Sequence, residues 1–215
     1  MTRNLIQSDN FNRAGPALGA NWTSTNPAAS SDLVIVASTA VAGQFSRTYD
    51  ITGGALWSGS GAFTDDQYAS IVIGGLANQT TSYGIGVICR ATGADATRSY
   101  YGAYVCSDAV SGGTQTTVLF KIISGTATSL NTGTSSWSNG DRIELEVQGS
   151  AIRLCKNGTY LGGAWSVTDT SIATGGTPGV IGGGAGVATG DDWQGGSITS
   201  SAGTPTMGQM IFALQ

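Results

Sequence analysis

The sequence contains no histidine, and charged residues make up only 10% of it, compared with about 25% in an average soluble domain. Without histidine the chain lacks the usual zinc ligand and the usual general base, and a Ser-His-Asp triad is excluded. Its three cysteines, Cys89, Cys106 and Cys155, form no Cys-x-x-Cys pair. They therefore predict thiols packed in strands, with a disulfide between two of them as the alternative. These absences argue against an enzyme.

Basic residues are also scarce, with nine Lys and Arg against thirteen Asp and Glu, which gives a net charge of -4. Nucleic-acid binding needs clustered Lys and Arg, so nucleic acid is excluded as a partner. No apolar run approaches the ~20 residues of a membrane-spanning helix, and we expect no membrane insertion. The first residues soon reach the polar pair Ser8-Asp9 and lack the apolar core of a signal peptide. We therefore expect a protein made in the cytoplasm, or one from which a signal has been removed.

What the sequence does contain is strand signals and glycine. Alternation with a period of two recurs, and no segment keeps a helical period for more than a turn. The alternation is clearest at 142–148, where Ile143, Leu145 and Val147 predict a buried face, and Glu144 and Glu146 a solvent face. Further strands are predicted at 68–73, 83–90, 99–106, 118–123 and 152–155. Short strands and glycine-rich turns favour an antiparallel sandwich of two sheets.

Turn chemistry supports the same architecture. Asn157-Gly158 separates the predicted strand 152–155 from a short one at 159–161, and Asn-Gly is the strongest short hairpin signal in a sequence. The glycine-dense segment 175–196 lacks the Gly-Lys-Ser/Thr ending of a phosphate-binding loop. A late strand approached closely by another backbone is the simpler interpretation.

Two motifs frame the chain. The first is Ser8-Asp9-Asn10-Phe11-Asn12-Arg13 with Leu18-Gly19-Ala20-Asn21-Trp22, and the second is Asp191-Asp192-Trp193-Gln194-Gly195-Gly196. This framing resembles the laminin-G-like and concanavalin A-like group of domains. The resemblance implies a two-sheet antiparallel jelly-roll sandwich over residues 1–196, with Trp22, Trp57 and Trp193 as core anchors. Residues 197–215 are expected to form a loop and a short apolar segment, either a last strand or an arm that docks on a neighbouring subunit.

An aromatic surface is the first candidate site. If Ile85 and Val105 face the core, then Arg90, Tyr100 and Tyr104 share the opposite face, and Tyr68 lies on the matching side of its own strand. Aromatic rings of this kind pack against the C–H faces of sugars, so these four residues are the predicted glycan-binding residues. The alternative is that the tyrosines brace an ordinary outer sheet face or an oligomer contact.

Carboxylates form two further candidates. Asp9, Asp191 and Asp192 are expected to meet because the terminal strands of this fold pair as neighbours, and their oxygens would begin a calcium shell. The alternative is that they accept backbone hydrogen bonds at strand ends. Glu144 and Glu146 project to one side, as glycosidase carboxylates do. The chain lacks the longer Glu-x-Asp-x-Glu signature of the related glucanases, so a solvent-exposed face is the preferred interpretation of this pair.

The resemblance implies a non-enzymatic bacteriophage virion protein: a capsid-decoration, head-fibre or tail-associated module that decorates the particle, adheres to surface carbohydrate, or does both. Its partners would be other virion proteins or copies of itself, with cell-surface glycan as a further partner if it adheres, and it would assemble in the host cytoplasm. The alternative is a secreted or surface bacterial carbohydrate-binding module, located outside the cell. A glycoside hydrolase of the same fold is a third hypothesis.

Overall fold

The computed structural model describes residues 1–13, 18–25, 33–36, 44–46, 54–76, 84–93, 97–108, 114–182 and 188–200. Within these ranges the regular structure consists mainly of sixteen strands, with a 3₁₀ turn at Gly163–Trp165. No helix in these ranges is long and apolar enough to cross a membrane. The strands are β1 (Thr2–Asp9), β2 (Trp22–Ser24), β3 (Val34–Val36), β4 (Gln44–Ser46), β5 (Gly54–Trp57), β6 (Gln67–Leu76), β7 (Gly84–Thr92), β8 (Ser99–Asp108), β9 (Thr114–Ile123), β10 (Thr126–Thr134), β11 (Arg142–Gln148), β12 (Ala151–Lys156), β13 (Thr159–Tyr160), β14 (Ser166–Thr168), β15 (Thr177–Gly182) and β16 (Ala188–Thr199).

These strands form two antiparallel sheets. Sheet A has the order β13-β12-β11-β6-β16-β4-β3, with β1 paired to β16 and β14 paired to β12. Sheet B has the order β10-β9-β8-β7-β15-β5-β2. The predicted two-sheet antiparallel sandwich is therefore confirmed. The expected boundary at Gly196 falls inside β16, which continues to Thr199, and residues 201–215 of the expected apolar tail lie outside the described residues.

The core lies between the two sheets and follows the predicted alternation. Ile143, Leu145 and Val147 of β11 are buried with residues of β6 from the same sheet and with β7 and β8 from sheet B. Burial of these aliphatic side chains supplies the main driving force for the sandwich. All three cysteines are free, and Cys89 and Cys155 are buried, in agreement with the prediction of packed thiols.

The two framing motifs meet where β1 pairs with β16, with Asp9 opposite Trp193. The Asp9 carboxylate accepts two hydrogen bonds from Arg13 at 2.7 Å and one from Trp22 Nε1 at 2.7 Å. Burial alone would raise the pKa of Asp9, but these donors and the Phe11 N–H lower it below its usual value. The ring centroids of Trp22 and Trp57 lie 4.9 Å and 5.2 Å from that of Trp193. Both motifs are thus structural, and the three tryptophans are the predicted core anchors.

Candidate functional site

The predicted tyrosine face is only partly assembled. Tyr100 and Tyr104 lie together on the outer face of sheet B, and each packs edge-to-face against Phe120, at centroid distances of 6.0 and 5.7 Å. Tyr100, Phe120 and their neighbours form a second apolar cluster, separate from the core between the sheets. Tyr100 is buried in this cluster, and Tyr104 is half-buried against it. Burial raises the pKa of Tyr104 above that of a free phenol. These two rings therefore pack mainly against their own sheet, which agrees with the alternative that the tyrosines brace an ordinary outer sheet face.

Arg90 does not share that face, and the prediction that it does is wrong. The β7–β8 register shifts between Cys89 and Thr92, and Arg90 has a φ of 53°. This backbone irregularity turns the side chain inward, where it is fully buried. Its guanidinium donates to the backbone oxygens of Asp65, Gly149 and Ile172 at 2.6 to 2.9 Å. Arg90 therefore holds loops together at one end of the sandwich, because three segments converge on its donors.

Tyr68 lies on the other sheet, so it cannot complete a face with Tyr100 and Tyr104. It belongs to β6, opposite Glu146 of β11 and Gly196 of β16. A Cβ at Gly196 would stand 2.6 Å from the Tyr68 ring, so glycine is needed for the ring to lie across β16. Tyr68 is buried, and burial raises its pKa. It forms part of the floor of a polar layer on the outer face of sheet A.

An arginine on the first strand organises that layer. Arg3 Nη1 lies 2.8 Å from Glu144 Oε2, and Arg3 Nε lies 2.5 Å from Glu146 Oε1. Glu144 is 4% exposed and Glu146 is 1% exposed. The prediction that Glu144 and Glu146 form a solvent-exposed face of β11 is therefore wrong, because β1 and β13 bring side chains over both glutamates. Arg3 Nη2 also donates to Cys155 Sγ at 3.4 Å.

Tyr160 forms the exposed wall beside this arginine. It follows the turn at Asn157 and Gly158, whose φ angles of 50° and 80° are those of a tight hairpin. Its hydroxyl donates to Glu146 Oε2 at 2.6 Å, and the Arg153 guanidinium lies 5.7 Å from its ring centroid. Burial, followed by the bond to Glu146, raises the pKa of Tyr160 to about 12. The phenol is therefore protonated at neutral pH, while the residue remains 45% exposed.

These side chains border a cleft of about 450 Å³. Its lining residues are Met1, Thr2, Arg3, Glu146, Gly158 and Tyr160. The volume falls in the range of small-molecule sites, which combine apolar surface with a few placed polar groups. We call this feature the Tyr160 cleft. It has an aromatic wall, an arginine fixed by two carboxylates, and a glycine turn at its rim.

The three aspartates proposed for calcium are only partly brought together. Both oxygens of Asp9 are engaged by Arg13 and Trp22, as described above. Burial raises the pKa of Asp191, and the nearby charges of Asp192 and Asp9 add to that increase. Asp191 also accepts the Asp192 N–H at 2.7 Å. Across the described ranges, no group of three or more Cys, Asp or Glu residues is placed to hold a metal ion. Calcium binding stays a prediction.

Sequence reasoning did not select Arg3, Arg153 or Tyr160. The Asn157-Gly158 signal located the hairpin that carries Tyr160, but not the direction in which the ring projects. Nothing in the local sequence connects Arg3 to Glu144 and Glu146, which lie more than 140 positions further along the chain. Only the pairing of β1 with β16 brings this arginine to the glutamates.

Comparison with known proteins establishes the fold. No protein-family model matches the chain, and no curated protein sequence matches it. A carbohydrate-binding module, CBM66, from Bacillus subtilis has a TM-score of 0.57 at 17% identity, over 82% of this chain and 96% of that one. A Bacillus subtilis protein of unknown function with a galectin-like fold has a TM-score of 0.64 at 11% identity, over 91% and 98%.

A xylan beta-1,4-xylosidase from Bacillus halodurans is also similar, with a TM-score of 0.58 at 12% identity. The match covers 88% of this chain but 39% of the xylosidase, so it involves one part of a larger enzyme. At these identities the likeness shows the shared jelly-roll sandwich, as the sequence predicted.

Proposed function

We propose that this domain is a carbohydrate-binding module and that its ligand occupies the Tyr160 cleft. The observation that carries the proposal is the half-exposed Tyr160 ring standing next to the fixed Arg3 guanidinium. An exposed aromatic face beside oriented hydrogen-bond donors suits a sugar ring, which offers C–H groups on its faces and oxygens around its edge. The similarity in fold to a carbohydrate-binding module supports the same function.

The ligand would meet donors rather than carboxylates in this cleft. Each oxygen of Glu146 already accepts a hydrogen bond, one from Arg3 and one from Tyr160. Glu144 accepts from Arg3 and from the Gly158 N–H. A guanidinium has five N–H donors, and Arg3 directs one to each glutamate and one to Cys155. Its remaining N–H groups are the ones available to a sugar oxygen.

This arrangement also bears on catalysis. A glycosidase needs one carboxylic acid and one carboxylate that both reach the scissile bond. Here Glu144 and Glu146 are buried and bonded to the same arginine. We therefore keep the hypothesis of a non-enzymatic domain, since Glu144 does not line the cleft and both oxygens of Glu146, which does, already accept hydrogen bonds.

Glycan binding can be tested by screening the wild-type domain on a glycan array and titrating each hit by calorimetry. Tyr160→Ala removes the exposed ring, and we expect at least a tenfold loss of affinity, equivalent to about 1.4 kcal/mol. Tyr160→Phe retains the ring and should retain most of the binding. Tyr104→Ala is the matched control, because it removes a tyrosine of the other candidate face.

Two results would contradict the proposal. If no glycan binds the folded wild-type domain at millimolar concentration, the domain is not a carbohydrate-binding module. If Tyr104→Ala abolishes binding while Tyr160→Ala preserves it, the ligand occupies the outer face of sheet B. Thermal melts of each variant establish that it is folded before its affinity is compared.

The virion role expected from the sequence has less support than its alternative. None of the three similar structures is described as a virion component, and one is a carbohydrate-binding module. Location in a virion or outside a bacterial cell therefore stays a prediction. Electron microscopy of particles labelled with an antibody against this domain would test the virion role directly.

A further inference from the structure

Sheet B ends in a long strand whose outer edge carries no neighbour among the described residues. β10 pairs with β9 through eight residue pairs and is the last strand in the order of the sheet. Residues 126–129, Thr132 and Thr134 are exposed. An edge strand presents a row of backbone N–H and C=O groups that can pair with a strand from another chain.

The other edges described here are short or charged. At the ends of the two sheets, β13 has two residues, while β2, β3 and β14 have three each. β1 is longer, but it carries Arg3 and Asp9, and the loop at Gly61 lies against its Ile6 and Gln7. Short and charged strands discourage pairing between chains. β10 is different because it offers nine uncharged residues, interrupted only by the register shift between Ser129 and Asn131.

The composition of β10 suits a partner identical to itself. Its sequence, Thr-Ala-Thr-Ser-Leu-Asn-Thr-Gly-Thr, contains no charged residue and no proline. Two copies aligned antiparallel therefore oppose no like charges, and four of the nine residues are threonines, which suit a strand. The register shift between Ser129 and Asn131 divides the edge into two runs of four paired residues. A hydrogen bond of 2.9 Å between Ser129 Oγ and Thr132 Oγ1 spans the irregularity.

We infer that β10 pairs with β10 of a second copy of this chain and joins two B sheets across a two-fold axis. In such an isologous contact each strand supplies the same residues to the other. With the axis between Ser129 and Leu130, position 127 of one copy lies opposite position 132 of the other. A single edge buries less surface than a standard protein interface, so the dimer depends on concentration.

Sedimentation velocity over a series of protein concentrations tests this dimer. The wild-type domain should shift from monomer to dimer as its concentration rises. A double variant, Ala127→Lys with Thr132→Lys, places like charges across the contact and should remain monomeric. Thr170→Lys adds one lysine to an exposed loop and should dimerise like the wild type.

Charge reversal makes the test specific for this strand. The variant Ala127→Glu with Thr132→Glu should also be monomeric alone, but an equimolar mixture with the lysine variant should form heterodimers that dissociate as salt is added. A wild type that is monomeric at every concentration would overturn the inference. Unchanged dimerisation of the double lysine variant would also overturn it, because the contact would then lie elsewhere.

Discussion

Replacement of Arg3 by methionine tests whether the ion pairs of Arg3 with Glu144 and Glu146 stabilise the fold as a buried cluster does, or contribute little, as exposed ion pairs do. Methionine keeps much of the apolar stem and removes the charge that holds Glu144 and Glu146. Removing one partner of a buried ion pair costs about 3–5 kcal/mol, whereas an exposed pair contributes about 0–1 kcal/mol. The Arg3 side chain is 26% exposed, and those of the glutamates are 5% and 1% exposed.

The expected loss lies between these limits. Each glutamate keeps one other donor, Gly158 N–H for Glu144 and Tyr160 for Glu146. We therefore expect the free energy of unfolding to fall by about 2–3 kcal/mol, below the full cost of stranding a buried charge. For a domain of this size the melting temperature should fall by roughly 4–12 °C. Urea denaturation followed by tryptophan fluorescence measures the change at neutral pH.

Two further variants make this prediction refutable. Arg153→Met removes an arginine from the adjacent strand that holds no glutamate, and we expect it to cost less than about 1 kcal/mol. Adding Glu146→Gln to Arg3→Met neutralises one stranded charge, so it should restore part of the loss. If Arg3→Met costs no more than Arg153→Met, or if Glu146→Gln restores nothing, the cluster does not stabilise the fold through charge.

Two more variants test other parts of the domain. Arg90→Met removes the donor from three backbone carbonyls, of which that of Ile172 belongs to a buried residue and those of Asp65 and Gly149 to exposed ones. An unsatisfied buried group costs about 1–3 kcal/mol, so urea denaturation should show a loss of about this size. A loss near zero would refute the role of Arg90 in joining the loops. Asp191→Asn should stabilise the domain by ~0.5 kcal/mol at pH 7, because burial and then the Asp192 and Asp9 charges raise the folded-state pKa of Asp191. The gain should disappear below the unfolded-state pKa of an aspartate, about 3.9, because Asp191 is then protonated in the folded and the unfolded protein. Thermal melts at pH 7 and pH 3 measure the gain. A gain that persists at pH 3 would contradict the electrostatic cause.

The sequence was sufficient for the sandwich because its signals are local. Alternation at Ile143, Leu145 and Val147 identifies a core face without reference to distant parts of the chain, and the Asn157-Gly158 pair predicts a hairpin. The framing motifs are equally informative, since Asp9 and Trp22 contact each other across only 13 positions. The predicted strand at 142–148 matches β11 at both ends.

Predictions for the outer faces failed because they require knowledge of what lies above each strand. Strict alternation places Arg90 outward beside Tyr100, but a single irregularity with positive φ turns it inward. A period-two rule has no means of locating such an irregularity in advance. Glu144 and Glu146 were predicted to be solvent-exposed for a related reason. The Arg3 side chain that covers them belongs to the first strand, far away in the sequence.

The position of Arg3 also links the stability of the domain to the shape of its cleft. The guanidinium that holds β1 against β11 is the same group that would donate to a sugar, so Arg3 variants change folding and binding together. Tyr160 is different, because it is 45% exposed and its β13 strand contributes only two residues to sheet A. Loss of binding in Tyr160→Ala without a comparable loss of stability would therefore assign the ring to the ligand. Parallel losses in both would instead mean that the ring serves the fold.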